Sequence, residues 1–174
     1  MASSGRKRGG VLGHDGREEH DLAYRRTSVV EVSSETVASI EFVLAVHLPR
    51  LEQFFDVPLE LIHEPQFLTY RTGDFFVPHT DSRTTETTPD AVRDREVSVV
   101  IFLNGRGSPP GEAYDGGELV FHASGDQLSD RLELAVSGKA GALVAFKSDL
   151  MHAVSPVQSG LRHSVVAWLQ KPSG

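Results

Sequence analysis

The chain contains no cysteine. That absence excludes a disulfide framework, a thiolate-bound zinc or iron–sulfur site, and a thiol nucleophile. Tryptophan occurs once, and aromatic residues make up only 7% of the 174 positions. No apolar run approaches the ~20 residues of a membrane helix, and none follows Arg6, Lys7 and Arg8 to make a secretory signal. No membrane partner is expected, and the expected location is cytoplasmic. Basic residues are the minority: 17 Lys and Arg against 24 Asp and Glu leave a formal charge of −7. A broad nucleic-acid-binding face is therefore disfavoured, although a local basic pocket remains compatible with that balance.

What is present is enough for one folded domain. Hydrophobic residues make up 39% and charged residues 24% of the chain, ordinary values for a globular protein. With thiols absent, a metal would have to be held by the eight histidines and the carboxylates, a donor set that suits iron, manganese or zinc. Residues 1–24 are rich in Gly, Ser and charge without periodicity, and are expected to be a mobile tail ahead of a domain spanning 25–174. Next, Ser33 and Ser34 suit a helix N-cap, and Glu35 suits the first turn. Val37, Ile40, Leu44, Leu48, Leu51 and Phe55 then recur every three or four residues, one apolar stripe able to lie on a sheet. Pro49 interrupts it, so a kink or two shorter helices is expected. His47, near the stripe, is expected at the core or its edge.

Beyond residue 59 the pattern turns to short β-rich runs between turn formers, at 67–70, 75–79, 97–103, 118–121, 132–134, 142–146, 151–154 and 164–169. Such spacing predicts a mainly β sandwich, barrel or jelly roll. Two long connections, 82–96 and 104–117, have the length of lids or binding loops.

One set of residues carries chemistry. In Val77-Pro78-His79-Thr80-Asp81 the histidine and the carboxylate are two apart, and residues i and i+2 of a strand share a face. His152 opens a later strand. Two histidines and one carboxylate on one side of a metal is the ligand set of non-haem iron(II) oxygenases, which leaves other positions open. By alternation Arg162, Ser164, Val166 and Trp168 share a face. The planar fork of Arg162 suits a carboxylate, Ser164 adds a hydroxyl, and Trp168 is expected to exclude water from that pair. A structural metal needs no such carboxylate site, which tells against a cupin-like metal-binding module. His14, His20, His63, His122 and His163 form no second cluster.

His79-x-Asp81, then His152, then Arg162, resembles the iron(II)- and 2-oxoglutarate-dependent dioxygenases, and among them the prolyl 4-hydroxylase-like group. Also similar are Tyr70-Arg71-Thr72-Gly73-Asp74-Phe75-Phe76, Phe102-Leu103-Asn104, Gly116-Gly117-Glu118-Leu119, Gly141 with Phe146, and Arg162 with Trp168. The likeness runs over about 67–170. It implies a double-stranded β-helix (jelly roll) with helices packed outside one sheet. It implies iron(II) on His79, Asp81 and His152, with dioxygen and 2-oxoglutarate as cosubstrates, the far carboxylate of the latter on Arg162 with Ser164 and Tyr70. Phe76 and Trp168 would wall a substrate pocket. The implied reaction is hydroxylation of an aliphatic C–H bond in a prolyl or other amino-acid residue of a peptide or protein, or alternatively in a free amino acid or small metabolite. Two positions depart from the family pattern. Some relatives carry a cosubstrate-contacting tyrosine just before the Leu-Asn turn, where this chain has Val99-Val100-Ile101-Phe102. Relatives acting on peptidyl proline often have tyrosine where Phe76 stands. The presence of Asp81 argues against the halogenating branch. The two long loops are expected to leave the strands near the metal and to close over substrate.

Overall fold

A computed structural model describes residues 6–8, 11–12, 18–19, 24–82, 90–109, 111–124 and 131–172. In chain order the strands and helices are β1 (Arg6–Arg8), β2 (Val11–Leu12), β3 (Glu18–Glu19), β4 (Ser28–Val30), α1 (Ser34–Phe55), β5 (Glu60–Leu61), β6 (Gln66–Arg71), β7 (Phe76–His79) and α2 (Asp90–Arg93). They continue as β8 (Val97–Phe102), β9 (Asp115–Gly116), β10 (Leu119–Ser124), β11 (Arg131–Val136), β12 (Leu143–Lys147), β13 (His152–Val154), β14 (Val157–Ser159) and β15 (Leu161–Gln170). All eight runs read as strands from the sequence are strands here.

The strands form two main antiparallel layers. The larger sheet runs β1-β4-β6-β15-β8-β12, with β5 also on β15, and the smaller runs β11-β10-β13-β7. This is the jelly roll the sequence predicts, with α1 outside the larger sheet. Strand alternation explains why. Every residue of β8 is buried: Val97, Val99 and Ile101 face α1, alongside Val165, Ala167 and Leu169 of β15, while Val100 and Phe102 face inward toward Leu119 and Phe146. Each well-buried apolar side chain contributes roughly 1.5–3 kcal/mol, so this outer core holds the helix on the sheet. The inward faces of β6, β8 and β15 are left to line the interior.

The helix begins as expected, with the Ser33 side chain accepting from the Thr36 amide at 3.2 Å. It does not break at Pro49, which lies inside one continuous 22-residue helix. Pro49 and Ala45 are both exposed, so water can satisfy the carbonyl that proline leaves without a donor. Leu44, Leu48, Leu51 and Phe55 pack against the sheet on either side of it. His47 is exposed rather than at the core. The segment expected to be a tail contains an edge strand, since Arg6–Arg8 pairs with Ser28–Val30. Backbone pairing at an open sheet edge needs no apolar pattern, so the composition of that segment does not reveal it.

Candidate metal centre

His79 ends β7 and His152 begins β13, and the two are direct partners across the smaller sheet. Each ring is fixed in the same local way. His79 Nδ1 lies 2.8 Å from the carbonyl of Val77, and His152 Nδ1 lies 2.9 Å from the carbonyl of Leu150. A ring nitrogen facing a carbonyl must carry a proton, so in its neutral form each ring keeps the lone pair on Nε2, where a metal could take it. Both Nε2 atoms face Asp81, one per carboxylate oxygen, each at 3.6 Å.

Asp81 lies just past the end of β7, so pleat alternation alone does not aim it. Ser98 does, donating to Oδ2 at 2.7 Å, and Ser98 in turn bonds Ser148 at 2.9 Å. The Ser148 carbonyl accepts from the Asp81 amide at 2.8 Å. Burial alone would raise the pKa of Asp81, but the facing His79 and His152 rings and the Ser98 hydroxyl hold it well below the usual carboxylate range. Burial lowers the pKa of His152, against the opposing pull of Asp81, which favours the neutral ligating form. One atom from each of the three residues lies within 4.8 Å of the others, and this is the one such group among the described residues. Two imidazole nitrogens and a carboxylate oxygen, with their outer partners in place, are a donor set that fits iron(II).

Arg162 is 1% exposed. Its Nη1 donates to Ser164 Oγ at 2.8 Å, Tyr70 and Phe102 lie under the guanidinium at 4.9 and 5.1 Å, and its buried Nε has no hydrogen-bond partner. No carboxylate pairs with it among the described residues. A buried charge so left is costly, and a carboxylate-bearing ligand is what would satisfy it. Gly117 makes room: a Cβ there would lie 2.9 Å from Arg162 Cδ. Trp168 does not shield this group, contrary to the expectation from alternation. It shares the face but lies six residues along the strand, about 20 Å away at ~3.3 Å per residue. There it carries the Arg95 guanidinium at 3.9 Å. Phe76 stacks on His79 with centroids 3.5 Å apart and lies beneath Arg25 at 4.8 Å.

The remaining histidines stay apart. His122 pairs with Glu133 at 3.2 Å, His163 Nδ1 meets Thr69 Oγ1 at 2.9 Å, and His63 is exposed. His14 and His20 lie outside the described residues, as do 83–89 of the first long loop and 110 of the second. The described part of the second loop packs at the Arg162 end. Asn104 Nδ2 donates to the carbonyls of Glu112 and Leu161, both at 2.7 Å, and Tyr114 is buried. The sequence reading missed Ser98, Ser148, Tyr114, Arg25 and Arg95. Ser98 had a signal, a lone hydroxyl inside the apolar run Val97-Ser98-Val99-Val100; Tyr114 had only its place before Gly116-Gly117.

A jelly roll with a two-histidine, one-carboxylate cluster on its inner face and a buried arginine beyond it defines a class, the metal-dependent oxygenases of this fold. Residues 65–170 match the 2OG-Fe(II) oxygenase superfamily, and the chain belongs to it. A PKHD-type hydroxylase of Shewanella baltica is 37% identical over 119 residues, 68% of this chain and 48% of that protein. One from Shewanella oneidensis is 37% identical over 114 residues, 66% of this chain and 45% of that protein. The chain thus spans about half the length of these relatives. A Pseudomonas putida prolyl-4-hydroxylase structure superposes with TM-score 0.61 at 26% identity, covering 88% of this chain and 76% of that one. A Trichoplax adhaerens prolyl hydroxylase, solved with a hypoxia inducible factor peptide fragment, shares the fold with TM-score 0.63 at 16% identity, covering 94% and 71%. Among the described residues, no helix is long and apolar enough to cross a membrane.

Proposed function

We propose that this chain is an iron(II)- and 2-oxoglutarate-dependent dioxygenase that hydroxylates an aliphatic C–H bond, in a prolyl or other amino-acid residue of a peptide or protein. The observation that carries the reading is the buried Arg162, without a carboxylate partner among the described residues, in the same jelly roll as the His79, Asp81 and His152 cluster. His79, Asp81 and His152 would hold the iron, and Ser98 and the two backbone carbonyls keep these ligands oriented. With dioxygen and 2-oxoglutarate, iron supplies oxidative hydroxylation, in which R–H, O2 and 2-oxoglutarate become R–OH, succinate and carbon dioxide. Arg162 would bind the far carboxylate, Ser164 orients the guanidinium by accepting from it, and Tyr70 flanks it. Phe76 and Trp168 would offer apolar walls that keep water from the carbon being oxidised.

The PKHD-type and prolyl hydroxylase relatives support a peptidyl substrate. A second reading, a free amino acid or other small carboxylic acid, is favoured by Arg25 and Arg95, which lie on Phe76 and Trp168 and each have a buried Nε without a partner. Turnover with iron(II), 2-oxoglutarate and parallel peptide and metabolite libraries separates the two. Succinate formed with a one-oxygen mass gain on a peptide supports the first. Coupled turnover of free acids with every peptide inert replaces it with the second. Failure of the chain to bind 2-oxoglutarate in the presence of iron(II) would overturn the oxygenase reading.

A further inference from the structure

Tyr114 is 4% exposed, and its hydroxyl is buried without a hydrogen-bond partner. Buried hydroxyls are nearly always bonded, so an orphan of this kind asks for an acceptor. The surroundings show where that acceptor would sit. A Cβ on Gly138 would collide with the Tyr114 hydroxyl and lie 2.8 Å from Phe102 Cδ1, so the hydroxyl and the Phe102 ring edge meet at one place. A Cβ on Gly117 would lie 3.4 Å from Tyr114 Cε2 and 2.9 Å from Arg162 Cδ, so the same ring flanks the Arg162 side chain. Glu118, the nearby acid, is already engaged by the Ser155 hydroxyl at 3.1 Å. The Tyr114 hydroxyl therefore lies beside the Arg162 guanidinium, which faces its oxygen, while its own proton has no acceptor.

We infer that Tyr114 is a further binding residue of this pocket, its hydroxyl donating to the distal carboxylate of the 2-oxo dicarboxylic acid that Arg162 holds. This rests on the cosubstrate reading above. It also accounts for Phe102, which stands in the stretch where some relatives place a cosubstrate-contacting tyrosine: Tyr114, in the connection after it, brings a hydroxyl to the edge of that phenyl ring. Burial raises the pKa of the Tyr114 hydroxyl and the Arg162 charge partly opposes this, so the group stays a protonated donor at neutral pH. Gly138 and Gly117 are then the clearances that let the ring reach the pocket.

The test is anaerobic calorimetry on the iron(II)-loaded chain. Two ligands are compared, 2-oxoglutarate and 2-oxobutyrate, which keeps the 2-oxo acid head and lacks the distal carboxylate; the weaker is read by competition. Tyr114→Phe keeps the ring and should weaken 2-oxoglutarate about tenfold, the size of a hydrogen bond to a charged group, while leaving 2-oxobutyrate and iron affinity unchanged. Gly138→Ala, which pushes the hydroxyl aside, should act in the same direction. Unchanged 2-oxoglutarate affinity in Tyr114→Phe, or equal losses for both ligands, would reduce Tyr114 to packing and overturn the inference. Arg162→Ala keeps the two levels distinct: if it binds 2-oxoglutarate like the wild type, the cosubstrate reading itself fails, whatever Tyr114 does.

Discussion

The metal corner and the arginine pocket are built in opposite ways. At the metal corner each histidine is oriented by the carbonyl two residues before it in its own segment, and one strand register brings the two rings together. At the arginine pocket nothing is local. Arg162 and Ser164 come from β15, Tyr70 from β6, Phe102 from β8, Tyr114 from a loop, and Gly117 and Gly138 provide the space. The first site consists of polar groups whose partners are already present. The second contains a cation with no carboxylate opposite it among the described residues and a hydroxyl proton with no acceptor. A site complete in its hydrogen bonds is suited to hold something that stays, and an incomplete one is suited to bind something that comes and goes.

Substitutions can break or sharpen this contrast. The largest effect is expected for Asp81→Ala, which removes the one anionic ligand and should abolish iron binding by calorimetry and all coupled turnover. Retained stoichiometric iron would show that the cluster is not the metal site. Next is Arg162→Ala, expected to cost one to two decades of 2-oxoglutarate affinity, from the loss of ~1.5–3 kcal/mol of charge-assisted bonding. Arg162→Lys should recover part of it, because an ammonium keeps the charge and loses the fork. Iron affinity should not change in either variant, and a parallel loss would merge the two sites into one.

Ser98→Ala probes the outer support of the metal corner. It should lower iron affinity by roughly tenfold, as loss of an outer partner commonly does, with the 2-oxoglutarate affinity of the iron-loaded protein little changed. The smallest effect belongs to the scaffold. Ser33→Ala removes the helix cap and should lower stability by about 1 kcal/mol in denaturant melts, with both sites unaffected in their ligand binding. A larger loss would mean that α1 depends less on its packing against the sheet than the buried Leu44, Val99 and Val165 indicate.

The legibility of the two regions differs for the same reason. The β runs, the helix stripe and its Ser33 cap, and the pairing of Arg162 with Ser164 follow from short-range periods and spacings, whereas strand register brings His152 to His79 and the Ser98 hydroxyl aims Asp81. Pro49 did not divide the helix in two, because the apolar side chains around it hold the helix on the sheet and its exposed face lets water take the freed carbonyl. Trp168 misled because alternation gives a face and not a position along it. Tyr114 was invisible as a site residue because its role depends on a loop path and on two glycines far apart in sequence.

By itself, then, the sequence determined the strand content, the apolar face of the helix, the donor atoms available to a metal and the cation available to a dicarboxylate. These depend on residue identity and on spacings of two to four, which the pleat and the helix turn convert directly into direction. Tertiary structure alone decided which side chains support those groups. It placed Ser98 beneath Asp81, Arg95 over Trp168, and the Tyr114 hydroxyl beside Phe102 and Arg162. Those contacts join segments remote in sequence, and only strand register and close packing in a buried interior bring them within hydrogen-bonding or ring-contact distance.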